Sequence, residues 1–161
     1  MLNVQTRLAI AIAAVWIAGN ATVPAALSQT SDIAVVVNEK NPVKNLSSQE
    51  VRNIFAGDRR SWPGGLPIKL FVRAPDAHER AVLLKLLGMS ESDYKNYWTA
   101  KIFRGEVQSE PIALFSNGMQ KEAIKAYPGA VALVNMQDVK PGMKMVKVEG
   151  HLPGEEGYPF N

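Results

Sequence analysis

Two short apolar runs rich in β-branched residues constrain this chain most: Ile33-Ala34-Val35-Val36-Val37-Asn38 and Ala130-Val131-Ala132-Leu133-Val134. Neither run alternates apolar with polar positions, so each asks for cover on both faces. That is how a strand reads when helices pack on both sides of its sheet. The stretch between the two runs supplies helix signals. Ser47-Ser48-Gln49-Glu50 has the form of a capping box, and Leu46 and Val51 are placed as a hydrophobic staple. Val51, Ile54 and Phe55 then share one helical face, and Gly57 marks a stop. A polar turn over 58–65 carries Trp62 and leads into a strand over Pro67–Arg73. Asp76 with Glu79 repeats the cap pattern ahead of Val82, Leu83, Leu86, Leu87 and the stop at Gly88. Ser90 with Asp93 starts a third helix, which brings Tyr94, Tyr97, Trp98 and Ile102 together before Gly105. After a loop ending near Pro111, Ser116 caps a fourth helix carrying Ala123, Ile124 and Tyr127, closed by Pro128-Gly129. Met143 to Val148 reads as a further, more exposed strand, and His151 to Asn161 as an extended tail. The expectation is an α/β domain: a mixed or parallel sheet flanked by helices.

The amino terminus has a different character. Arg7 precedes the apolar run Leu8–Ala18, which is too short for a transmembrane helix of ~20 apolar residues. Small residues follow up to Ser28, so residues 1–28 read as a cleavable secretory leader and residues 29–161 as the domain. The chain of 161 residues holds no cysteine, which removes disulfides, thiolate catalysis, sulfur-ligated metal sites and a lipid-modified cysteine together. An exported chain without those features is expected to be a soluble periplasmic protein. Lys and Arg number 18 against 15 Asp and Glu, a mild +3 that gives no reason to invoke nucleic acid.

Candidate chemistry concentrates in Arg73-Ala74-Pro75-Asp76-Ala77-His78-Glu79-Arg80, where a strand ends and a helix begins. Free backbone N–H groups at a helix start attract anions, and arginine adds fork-shaped donors. Arg73, Asp76, Ala77, His78 and Arg80 are therefore candidate ligand-binding residues, with Ser47 at the first helix start as a second candidate. Helix capping and solvated arginines explain the same segment, and on local pattern alone that explanation is the stronger. His78 and His151 have no partner at metal-ligand spacing, so neither a metal nor another cofactor is expected. The aromatics Tyr94, Tyr97, Trp98 and Phe103 could form a sugar platform, but at helical spacing they read first as core. No phosphate loop, dinucleotide fingerprint or serine elbow is present, and nothing points to an enzyme.

Several of these pieces together resemble the phosphate-binding substrate-binding proteins of ABC transporters. They are Ile33–Asn38 with Asn41-Pro42-Val43, the segment Leu46–Gly57 with Trp62, the segment Arg73–Arg80, and Tyr127–Val134. Tyr97-Trp98 through Ile102-Phe103-Arg104-Gly105 resembles the short, single-lobe relatives of that family. The resemblance implies one lobe of a type II periplasmic-binding-protein fold and a role in phosphate or other oxyanion binding for transport. An ABC transporter permease would be its partner. The alternative is a ligand-free module that binds another envelope protein, and a homodimer is a further option. Two departures accompany the resemblance. Full members have two lobes that close on the ligand, whereas the leader here runs straight into what resembles the second lobe. The family's loop places Ser-Gly-Thr where this chain has Ala77, His78 and Glu79, so two hydroxyls are replaced and a carboxylate is added beside the expected anion.

Overall fold

The computed structural model describes residues 32–160. Its strands are β1 (Ile33–Asn38), β2 (Asn45–Leu46), β3 (Lys69–Arg73), β4 (Ile112–Leu114), β5 (Ala130–Asn135), β6 (Met143–Met145) and β7 (Lys147–Val148). Its helices are α1 (Ser48–Phe55), α2 (His78–Leu87), α3 (Glu91–Phe103) and α4 (Asn117–Ala126). Five strands form one sheet in the order β4-β3-β5-β1-β6, and β2 pairs with β7 in a small second sheet. β3 runs parallel to β4 and β5, while β1 runs antiparallel to β5 and β6. The sheet is therefore mixed.

Both apolar runs are central strands, paired from Ile33↔Asn135 to Val37↔Val131. Period-2 alternation sends their side chains into two cores. Ile33, Val35, Val37, Val131 and Leu133 join Val51, Ile54 and Phe55 of α1, Leu83 and Leu87 of α2, and Tyr94 and Trp98 of α3. Ala34, Val36, Ala130, Ala132 and Val134 face Ile124 of α4. Three alanines on this face, Ala34, Ala130 and Ala132, leave room for α4 to lie close to the central strands.

α1 starts as its sequence demands. Ser47 accepts from Glu50 N–H and the Glu50 carboxylate accepts from Ser47 N–H, completing the capping box. Leu46 and Val51 are both buried in the first core. At the helix end Gly57 takes φ 73°, and a Cβ there would come within 2.4 Å of the Trp98 ring, so glycine is required twice over. Arg52 donates to the Leu86 and Leu87 carbonyls at 2.6 and 3.0 Å, capping α2 from α1. α3 also opens on a complete capping box, built by Ser90 and Asp93, and Ser116 caps α4 through Met119 N–H. Trp62 of the polar turn is buried, and its Nε1–H donates to the Gly129 carbonyl at 3.0 Å. A Cβ on Gly129 would sit 1.9 Å from the Pro67 carbonyl oxygen, so the chain crosses here only because the side chain is missing.

Five local expectations need correction. The second helix is not capped by Asp76: its N-cap is Ala77, with no side-chain hydrogen bond. Residues 112–114, expected as the approach to α4, form edge strand β4 alongside β3. The run Met143–Val148 is not one exposed strand; it splits at buried Val146 into β6, paired with β1, and β7, paired with β2. The tail is turned rather than extended: Tyr158 and Phe160 are buried, and Tyr158 donates its hydroxyl proton to the Ile33 carbonyl at 2.7 Å. In α3, Tyr94, Tyr97 and Trp98 lie together as expected, in edge-on ring pairs, but Ile102 and Phe103 face solvent. The expected leader over 1–28 lies outside the described residues.

Candidate functional site

The segment singled out by sequence lies at the carboxyl end of β3, where the strand hands over to α2. In open α/β sheets that end of a parallel strand is where ligands bind. β3 and β4 are locked together at this point, since Ala74 N–H donates to the Leu114 carbonyl at 3.0 Å. Pro75 cannot donate, and Asp76 takes φ 72°, a conformation that aspartate tolerates better than most residues. That turn swings the chain from strand to helix within four residues. Ala77 then holds the N-cap position in extended backbone, with no side chain to satisfy the N–H groups of the first turn. The feature that the sequence pattern makes look like a capped start is an uncapped one.

Arg73 and Glu79 dominate the interior of this corner. Their side chains keep only 14% and 7% of their exposure, and Arg73 Nε lies 3.8 Å from Glu79 Oε2. That separation allows charge attraction but is too long for a hydrogen bond. Arg73 Nε and Nη1 are buried and have no hydrogen-bond partner among the described residues. Buried donors without acceptors are costly, about 1–3 kcal/mol each and more for charged groups. This corner therefore holds a largely buried cation that faces a carboxylate while Nε and Nη1 go without acceptors.

Arg80 has a different place. Its Nε donates to Glu91 Oε2 at 3.0 Å, its Nη2 bonds the other Glu91 oxygen, and the guanidinium stacks 4.0 Å over the Tyr94 ring. Burial alone would pull the Arg80 pKa down, but the hydrogen bond and charge of Glu91 outweigh it and hold it above the usual arginine value. The same bond holds the Glu91 carboxyl below its ordinary range. Arg80 thus pins the start of α2 to the start of α3 and is committed there. The local sequence held no sign of this, because the partners lie eleven and fourteen residues further on.

The remaining candidates separate. Asp76 and His78 are exposed at the turn and the first residue of α2, and Ala77 contributes backbone alone. Ser47 is occupied within its own capping box, and the next N–H, of Ser48, is taken by Glu149 Oε1 at 2.5 Å. The structure brings Arg73, Ala77 and Glu79 to one corner and leaves Ser47 and Arg80 in other bonds. Sequence reasoning missed a cleft of about 260 Å³ lined by Ile54, Leu70, Trp98, Val107 and Ile112, with Arg59 and Arg60 beside it. Those arginines are already bound, Arg59 to Glu50 at 2.9 Å and Arg60 to the Glu106 carbonyl at 2.5 Å. Among the described residues no group of three or more His, Asp or Glu side chains could hold a metal ion.

Comparison with known proteins gives three kinds of match. A 40-residue stretch is 50% identical to the phosphate-binding protein PstS 2 of Streptococcus agalactiae serotype V, covering 25% of this chain and 14% of that one. The fold is similar to the ABC-type phosphate transport receptor of Vibrio cholerae, with a TM-score of 0.61 at 22% identity over 76% of this chain. It is also similar to a putative phosphate ABC transporter substrate-binding protein of Clostridium perfringens with bound phosphate, with a TM-score of 0.59 at 20% identity over 74% of this chain. The match covers 48% and 45% of those two chains, so this chain spans about half the length of its solved relatives. The family model described as PBP superfamily domain matches residues 11–158. With the mixed sheet, its flanking helices and nearly the whole chain in agreement, this protein belongs to the PBP superfamily domain family.

Proposed function

We propose that this chain is an extracytoplasmic oxyanion-binding lobe of the kind that serves phosphate ABC transport. It binds and hands on a ligand rather than transforming one, and its partner is a transporter permease. Residues 1–28 are removed on export in this reading, and residues 29–161 act as the domain. The observation that carries the proposal is Arg73: a largely buried guanidinium with two unpartnered N–H donors, set beside an uncapped helix start. A tetrahedral oxyanion supplies what both features lack, acceptors for charged donors and a negative charge at a helix N-terminus. Asp76, Ala77 and His78 form the turn and the first residue of α2, close to Arg73 in the chain. The two hydroxyls of the family loop are absent, so binding is weaker than a full two-lobed receptor would give.

The test is a thermal-shift panel of phosphate, arsenate, sulfate and chloride at constant ionic strength, followed by calorimetric titration of any anion that raises Tm. Phosphate or another oxyanion should raise Tm in the unmodified protein and fail to do so in Arg73→Met. An equal response in both proteins would contradict the proposal. A second reading, an interaction module for another envelope protein, is favoured by one observation: Phe103 and Phe115 are 92% and 74% exposed. It predicts no oxyanion response, together with a stoichiometric complex that Phe103→Ser or Phe115→Ser breaks.

A further inference from the structure

We infer that Glu79 is a built-in counter-anion of Arg73, so that an oxyanion enters this site by displacing the Glu79 carboxylate from the guanidinium. The inference rests on the oxyanion reading of the Arg73 corner. Glu79 is the second residue of α2, and its side chain is buried against Arg73 rather than turned to water. A buried carboxylate needs a cation, and the arginine next to it in the chain, Arg80, is held by Glu91 and stacked on Tyr94. Arg73 is therefore the cation Glu79 faces. A carboxylate in the first turn of a helix also gains from the N-terminal dipole, which is where an incoming anion would gain as well.

The contact between them is nevertheless incomplete. At 3.8 Å between Nε and Oε2 it makes no hydrogen bond, and both Nε and Nη1 stay unpartnered. A well-built structural pair would dock the carboxylate on the guanidinium fork with two short bonds. A loose pair gives up less when the carboxylate leaves, and the arriving oxyanion can reach the donors that Glu79 does not. Two anions at one guanidinium repel each other, so ligand and Glu79 alternate. The residue that stands at the threonine position of the family loop thus sets how weakly the site binds.

The experiment is calorimetric titration with inorganic phosphate at fixed pH and ionic strength, comparing wild type, Glu79→Gln, Glu79→Thr and Arg73→Met. Glu79→Gln keeps the shape and removes the charge, and should tighten phosphate binding by roughly ten- to a hundredfold. Glu79→Thr should shift affinity the same way, and adding Arg73→Met to Glu79→Gln should abolish the gain. Unchanged or weaker affinity in Glu79→Gln, with wild-type binding abolished by Arg73→Met, would overturn the displacement inference and leave the oxyanion reading standing. Absence of binding in wild type and in both Glu79 variants would overturn both. Loss of folding in both Glu79 variants, read by circular dichroism, would show the carboxylate to be a fixed structural counterion and would overturn the inference as well.

Discussion

The two helix starts that the sequence presents as alike, at Ser47 and at Asp76, are built on opposite principles. At α1 three donors at the cap have side-chain acceptors: Ser47 serves Glu50 N–H, Glu50 serves Ser47 N–H, and Glu149 takes Ser48 N–H. The apolar face behind it carries Val51, Ile54 and Phe55 into the first core. At α2 the N-cap is an alanine, the preceding aspartate holds positive φ, and the charges behind the first turn are buried. One start spends its polar groups on its own stability. The other keeps donors in reserve. Native proteins satisfy nearly all buried polar groups, and in the proposed function the unmade bonds of Arg73 go to an incoming anion.

Substitutions can break this contrast, and the largest effect is expected at α1. Phe55→Ala removes a fully buried ring from between α1 and the sheet and should cost about 3–5 kcal/mol in denaturant unfolding, with phosphate response intact in the folded fraction. A loss below 1 kcal/mol would mean that α1 does not anchor the core. At α2 the outcome should reverse. Replacing Arg73 and Glu79 together by Met and Leu removes a loosely joined buried pair and should leave stability unchanged or raise it by about 1–4 kcal/mol, while abolishing anion response. Marked destabilisation would show that the pair holds the fold together.

Cap exchange sharpens the comparison at a smaller scale. Ser47→Ala should cost about 1 kcal/mol, and Ala77→Ser, which gives α2 the side chain it lacks, should add up to about 1 kcal/mol. A loss on both changes would mean that position 77 cannot accept a cap. The smallest effect concerns acid. Backbone donation from Ser47, aided by Arg59, holds the Glu50 carboxyl below its ordinary value of 4.5. A group whose pKa is depressed on folding stabilises above its unfolded value and loses that contribution as pH falls through its folded value. The stability gap between wild type and Glu50→Gln should thus stay constant above about pH 4.5 and narrow below it. Glu106, held at about 2 by Arg104 and Lys101, should still be ionised where Glu50 has begun to protonate. A gap that widens in acid would have the wrong sign.

The sheet and three helix starts were legible in the sequence because they depend on neighbours in the chain. β-branched runs, capping boxes at Ser47 and Ser90 and the cap at Ser116 each signal within four residues. What escaped depends on distant partners. Strand β4 is three residues long with two of them exposed, so it carries no period of its own and exists through its pairing with β3. The break between β6 and β7 follows from their pairing with β1 and β2, both more than a hundred residues earlier. At the candidate site, the Arg73 segment and the intruding Glu79 were visible as a departure from the family loop. The commitment of Arg80 to Glu91, and the failure of Asp76 to cap, were not. A D-x-x-E spacing reads as a cap until the backbone shows Asp76 one residue too early and at positive φ.

Phosphate titration followed by amide and arginine Nε–H nuclear magnetic resonance tests the contrast between the two helix starts most directly. The expected result is progressive shifts in the backbone N–H signals of Ala77, His78 and Glu79 and in the Nε–H of Arg73, with Ser47, Ser48 and Glu50 unmoved. Shifts at the α1 start, or no shifts anywhere up to millimolar phosphate, would contradict the account.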